Sequence, residues 1–178
     1  PDTTGITRVG DGYAVISGRD AQCDVIAVDD TVHPIASAQT ISMTCHNAQL
    51  VTSTGDHVVA AWNCDDDQVW ITGGSLAAGL PPHRSFFGTD GDTANSASNP
   101  RLAATSAGVW YGFQVAGGRL GRGLVDDDGS DPPRIVPDVV VTGASGPYDL
   151  VARGDQAYLF WTADGAANPH LWAMRLCQ

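Results

Sequence analysis

Two amino acids are missing altogether. All nine basic side chains are Arg and all twenty acidic ones are Asp, so the 178-residue chain contains neither Lys nor Glu. Both are good helix formers, and their absence starves the chain of helix. The formal net charge of −11 argues against a nucleic-acid or anionic-lipid partner, because phosphate binding depends on clustered Lys and Arg. No stretch approaches the roughly 20 apolar residues of a membrane span, and no basic-then-apolar leader opens the sequence. The start at Pro1 rather than Met leads us to expect a processed or trimmed chain. Also absent are Cys-x-x-Cys, His-x-His, His-Glu-x-x-His and Gly-x-Ser-x-Gly spacings. These absences argue against a structural zinc site, a zinc peptidase and a serine nucleophile elbow. No residue is assigned a catalytic role.

What the chain does have is punctuation: 21 Gly and 10 Pro, with abundant Asp, Asn, Ser and Thr, which make turns by allowing positive φ, fixing φ or bonding their own backbone. Four times a Gly-ended loop leads into an apolar and aromatic run. The runs are Gly10-Asp11-Gly12-Tyr13-Ala14-Val15-Ile16, Gly55-Asp56-His57-Val58-Val59-Ala60-Ala61-Trp62, Gly108-Val109-Trp110-Tyr111-Gly112-Phe113 and Gly154-Asp155-Gln156-Ala157-Tyr158-Leu159-Phe160-Trp161. The glycines are 45, 53 and 46 residues apart, close to the roughly 40–50-residue range of four-stranded units that cannot bury their own faces alone.

Aligning the units gives one order of events. A small, apolar first strand (residues 6–9, 49–53, 101–105, 148–152) meets the Gly turn and the aromatic second strand. A polar loop and a third strand follow (24–28, 68–72, 120–125, 170–176). Residues 32–36, 83–87 and 135–141 are expected as fourth, outermost strands, where Pro is tolerated because an edge needs no N–H. The last unit has no such strand after Leu176, which leaves two expectations: residues 1–7 circle back to complete it, or another chain supplies the strand.

An inner strand, a Gly-Asp turn, an aromatic strand ending near Trp and a final strand resemble the repeats of bacterial secreted β-propeller proteins. The resemblance covers nearly the whole chain and implies an all-β propeller of four blade-like repeats with little or no helix. Its approximate units are 1–41, 42–88, 89–141 and 142–178 in a single domain. A compact four-bladed ring, half of a ring completed by a second copy, and a segment of a longer parent all fit four repeats.

Four cysteines without metal spacing read as one or two disulfides in a secreted or periplasmic protein. In a blade, the loop from second to third strand shares a face with the connection into the next blade. That puts Cys23, Cys45 and Cys64 together and Cys177 apart. We expect Cys45 to pair with Cys64, with Cys23–Cys177 as the default second bridge or Cys177 bonded outside the chain.

The strongest polar signal is clustered Asp. Asp90, Asp92 and Asn95, or Asp126, Asp128 and Asp131, could turn several oxygens toward calcium, although Asp is also this chain's only acidic residue and a good turn former. Asp11, Asp56 and Asp155 recur on the same turn, as structural residues would. Trp62, Phe113 and Trp161 end second strands, and Trp70 and Trp172 sit within third strands. Their regularity suits packing between blades, with sugar stacking as the alternative. Trp110 and Tyr111 point to opposite faces of one strand, so one of the two is expected at the surface as a ligand platform. The function expected is a secreted, non-catalytic binding module for carbohydrate or a cell-surface partner. The alternatives are an assembly piece completed by another copy or chain, and a glycoside hydrolase using propeller carboxylates.

Overall fold

The computed structural model describes residues 4–19, 22–64, 68–81, 85–87, 97–125, 138–165 and 168–177. Among these residues are fifteen antiparallel strands in four sheets and no helix. Blade 1 holds β1 (Thr4–Val9), β2 (Gly12–Arg19), β3 (Gln22–Val28) and β4 (Gln39–Ser42). Blade 2 holds β5 (His46–Thr52), β6 (His57–Asn63), β7 (Val69–Ser75) and β8 (Ser85–Phe87). Blade 3 holds β9 (Ala97–Thr105), β10 (Gly108–Val115), β11 (Arg119–Val125) and β12 (Asp138–Thr142). Blade 4 has three strands, β13 (Ala144–Arg153), β14 (Gln156–Gly165) and β15 (Asn168–Leu176).

Within each blade the strands meander in chain order, and the first strands are innermost, with β1 packed on β5, β5 on β9 and β9 on β13. The repeated glycines work as read from the sequence. Gly10 and Gly154 sit at φ 55° and 63° in two-residue turns between Val9 and Gly12 and between Arg153 and Gln156. A side chain there would strain the backbone.

Two expectations about strands are corrected. Residues 32–36 are not the fourth strand of blade 1. Only Pro34 bridges back to Val28, and the strand is β4, further on. The Asp29 carboxylate explains the displacement. It accepts from the Thr31 and His33 backbone N–H groups and the Thr31 hydroxyl at 2.7–2.9 Å, winding the chain into a turn that ends with Val32 at φ 66°. Those bonds hold the Asp29 carboxyl below its ordinary pKa, the His33 N–H contributing most. Nor do residues 4–7 circle back to blade 4, since they pair with β2 as the innermost strand of blade 1; residues 1–3 lie outside the described residues.

Where two blades are neighbours, the trailing face of one sheet packs on the leading face of the next. Three apolar cores fill the seams. Ala14, Ile16 and Val25 meet Leu50, Val58 and Trp62 between blades 1 and 2. Val59, Val69 and Ile71 meet Leu102, Tyr111 and Phe113 between blades 2 and 3. Ala103, Trp110 and Leu120 meet Leu150, Leu159 and Tyr148 between blades 3 and 4. Burying a Leu of this kind is worth about 1.5–3 kcal/mol.

The cysteine pairing differs from expectation. Cys23 at the start of β3 is bonded to Cys45 in the connection into blade 2, with Cα atoms 5.5 Å apart. The two halves meet because Cys23 lies opposite Ser42 in the β3–β4 register, which brings the next three residues over it. The Cys64 thiol donates to the Thr44 carbonyl at 3.3 Å, so the three cysteines do share a face, as the blade topology requires. Cys177 is exposed after β15 and is not bonded to Cys23.

Candidate functional site

The face carrying the turns into third strands also carries a hydrogen-bonded group of amides. Asn47 and Asn99 occupy the same position, two residues before matched points of the inner strands β5 and β9. Both adopt left-handed backbone, φ 50° and 51°. Each sits where the register with the second strand slips, a bulge that aims its side chain out of the ladder. Asn47 Nδ2 donates to Asn99 Oδ1 at 3.0 Å. Buried Asn63 accepts from the Asn99 N–H at 2.8 Å and donates to the Ala97 carbonyl at 3.2 Å. Asn99 Nδ2 donates to Gln114 Oε1, and the Tyr148 hydroxyl donates to the Asn99 carbonyl.

Beside this group, at the seam of blades 3 and 4, a cavity of about 250 Å³ is lined by Ser98, Gln114, Arg119, Leu120 and Ala144 among others. Arg119 Nε donates to the Ala116 carbonyl at 2.9 Å, which fixes its guanidinium at the cavity wall. Ala144 pairs with Ala163 across β13 and β14. Two residues along β14, on the same face, Trp161 pairs with Trp172. Their rings stack at 6.5 Å with planes 15° apart, and Trp172 is 53% exposed. Trp172 thus lies two strands across from the cavity residue Ala144 and two residues along, about 12 Å away, on the same face of the blade and at the same seam.

A second, apolar hollow of about 410 Å³ lies on the opposite face between blades 1 and 2. Val9, Tyr13, Val28, Ile35 and Leu76 line it, with Asp56 among the few polar groups. The Asp56 carboxylate is committed to structure. It accepts from the Ser75 hydroxyl and lies 3.3 Å from His57 Nδ1, and the Ser75 bond chiefly holds its carboxyl below the ordinary pKa. The turn role expected for this recurring Asp is what its bonds perform.

Trp110 and Tyr111 do point to opposite faces, but neither is at the surface. Blade 3 has a neighbour on each side. Tyr111 is buried in the seam with blade 2 and Trp110 in the seam with blade 4, where the Arg122 guanidinium lies 5.7 Å over its ring. Trp62 and Phe113 are likewise buried between blades, the packing role expected of them. Asp90, Asp92, Asn95, Asp126, Asp128 and Asp131 lie outside the described residues. Among the described residues no three His, Cys, Asp or Glu side chains gather as metal ligands would.

Burial raises the Tyr111 phenol above its ordinary pKa, and it raises Tyr148 as well, there against an opposing pull from Arg101. Both phenols therefore bind their protons more tightly folded than unfolded. That contribution is complete below the unfolded value near 10 and is lost as pH rises toward the folded values. We expect the melting temperature to fall steeply above about pH 10. Tyr111→Phe should make the fall shallower in a calorimetric pH series.

No protein-family model and no curated protein sequence matches the chain. Solved structures do match in fold. The chain superposes over 97% of its length on Bacteroides ovatus Xyloglucan PUL GH43B, with a TM-score of 0.52 and 13% identity, and spans 38% of that chain. On the Myceliophteria thermophila Cps50 (Swd1) beta-propeller domain it superposes over 97% of its length with a TM-score of 0.58 and 14% identity, spanning 54% of that chain. The fold is thus a β-propeller of four blade-like repeats, and the chain spans about half or less of these propeller proteins.

Proposed function

We propose that this protein is a secreted, non-catalytic module that binds carbohydrate at the seam of blades 3 and 4. The observation that carries the reading is Trp172, a half-exposed indole held flat by stacking on Trp161. A pyranose ring has an apolar face that packs on such a surface, while the cavity edge formed by Ser98, Gln114 and Arg119 offers donors and acceptors to its hydroxyls. Two equivalent asparagines in left-handed backbone support the same face, because backbone of that kind gathers at ligand sites. The Cys23–Cys45 bond supports an oxidising compartment.

The test is a broad glycan array, run with calcium and again with chelator. Binding should be specific, and Trp172→Ala should weaken it by about 30-fold, the equivalent of roughly 2 kcal/mol for an aromatic anchor. The variant should keep the wild-type melting temperature within about 3 °C, since the side chain is half in solvent. Silence on the array, or equal binding by the variant, removes the seam as the site. Loss of binding with chelator would bring the expected calcium ligands at 90–95 or 126–131 into it. Hydrolysis of a bound glycan would overturn the non-catalytic part of the reading.

A further inference from the structure

The four blades make three seams, and matching the seams position by position exposes two half-seams. The pairing registers equate Ile6, Leu50, Leu102 and Leu150, each opposite the second residue of the apolar triplet on its second strand: Val15, Ala60, Tyr111 and Leu159. Leu50, Leu102 and Leu150 plug into the preceding blade and are at most 7% exposed. Ile6 occupies the same place on the leading face of blade 1 and is 63% exposed. Its direction is fixed by its neighbours, since a side chain on Gly5 would meet Ile16 and Leu50 and Thr7 bonds Thr52, both toward blade 2. Tyr13 repeats the pattern, being the most exposed of a set whose other members, Val58, Val109 and Ala157, are fully buried.

The far end mirrors this. Leu171 is equivalent to Cys23, Val69 and Leu120 on the third strands, all of them buried under the following blade and at most 1% exposed, whereas Leu171 is 72% exposed. Val151, equivalent to buried Ala103, is also exposed on this trailing face. Among the described residues no apolar core joins blade 4 to blade 1, and β13 is not among the strands packed on β1. The arc is open. The Swd1 propeller domain, on which 97% of the chain superposes, is covered by these four blades over 54% of its length, so the four blades correspond to about half of such a propeller.

We propose that two copies of this chain associate head to tail, the leading face of blade 1 in each against the trailing face of blade 4 in the other. The occupant follows from the seams themselves. The face that Ile6 presents has a partner built like the trailing faces of blades 1 to 3, and blade 4 carries the fourth such face. One copy cannot bring the two together, because the arc does not bend that far. Two copies related by a twofold satisfy both faces at once and leave neither over, a heterologous contact that closes. The ring has eight blades, within the range of propellers.

Light scattering on the intact chain at about 100 μM should give twice the 18.5 kDa chain mass. Ile6→Asp and Leu171→Asp should each yield single chains with the wild-type β-sheet spectrum, raising the dissociation constant at least about 30-fold. Mixed in equal amounts, the two variants should form a dimer again, because the pair retains one intact leading face and one intact trailing face. A single-chain mass for the wild type overturns the proposal, and so does a dimer indifferent to both substitutions. A mass growing beyond two chains overturns the closed ring. None of these readouts depends on glycan binding.

Discussion

Gly123→Ala is expected to be among the most damaging single-methyl changes in this protein. Gly123 lies directly across β10–β11 from Tyr111, and a Cβ there would fall 1.7 Å from the phenol oxygen and 2.0 Å from its ring carbon. The Tyr111 ring cannot yield, being buried in the seam with blade 2 and stacked at 6.2 Å on Phe113. Phe113 in turn covers Gly121, where an added Cβ would meet its ring at 2.2 Å. The two aromatics therefore lie flat across two cross-strand glycines, which gives blade 3 a smooth face and explains why a strand as weak as Arg119–Val125, with two glycines, is kept. Overpacking costs about 1–3 kcal/mol where neighbours can shift, and more where they cannot. A loss of about 3 kcal/mol lowers the melting temperature by roughly 6–12 °C in a domain of this size. The double variant Gly123→Ala with Tyr111→Val should recover part of the loss, and a calorimetric double-mutant cycle measures how much. Equal melting of wild type and Gly123→Ala would mean that the phenol does not rest on the glycine.

These glycines also mark how far the sequence could be read. Turn glycines such as Gly10 and Gly154 announce themselves, because a Gly-Asp pair before an apolar run has one local meaning. The first strands were equally legible, since Leu50, Leu102 and Leu150 recur at one position, and the absence of Lys and Glu pointed to an all-β chain. Gly121 and Gly123 fall within the third strand read at residues 120–125, but their role depends on rings across the ladder that no local reading supplies. Trp110 and Tyr111 show the same limit. Alternation along β10 correctly sent them to opposite faces, but whether a face meets solvent is decided by the neighbouring blade. The fourth strand of blade 1 was misplaced because one carboxylate, Asp29, holds residues 31–33 in a turn that hydropathy alone reads as apolar. The amide group was missed for a different reason. Asn47 and Asn99 are 52 residues apart, yet each lies two residues before the first strand as read from the sequence, so extending the repeat alignment two residues upstream of Gln49 and Arg101 would have paired them.

Loss of the Cys23–Cys45 bond should cost about 3 kcal/mol, from a loop with a sequence separation of 22, and lower the melting temperature by roughly 6–12 °C. The bond ties the third strand of blade 1 to the connection into blade 2, so it closes the first seam from the side opposite the Gly10 and Gly55 turns. Both sulfurs are buried in that seam's core, and a reduced pair would have to pack there as two separate thiols, which adds to the loss. Cys23→Ala with Cys45→Ala, or the wild type in reductant, should show the drop. Cys64→Ser should change the melting temperature by no more than about 3 °C, because a hydroxyl can still donate to the Thr44 carbonyl that the thiol now serves. This contrast separates the observed pairing from a Cys45–Cys64 bridge, for which Cys64→Ser would be the costly change and Cys23→Ala the mild one. It also bears on where the protein works. Glutathione keeps cytosolic thiols reduced, and a chain that loses a seam-closing cross-link on reduction would fall toward the middle of its stability range there, because a typical domain has only about 5–15 kcal/mol to lose. An oxidising compartment removes that penalty, so a melting temperature indifferent to reductant would count against secretion as well as against the bond.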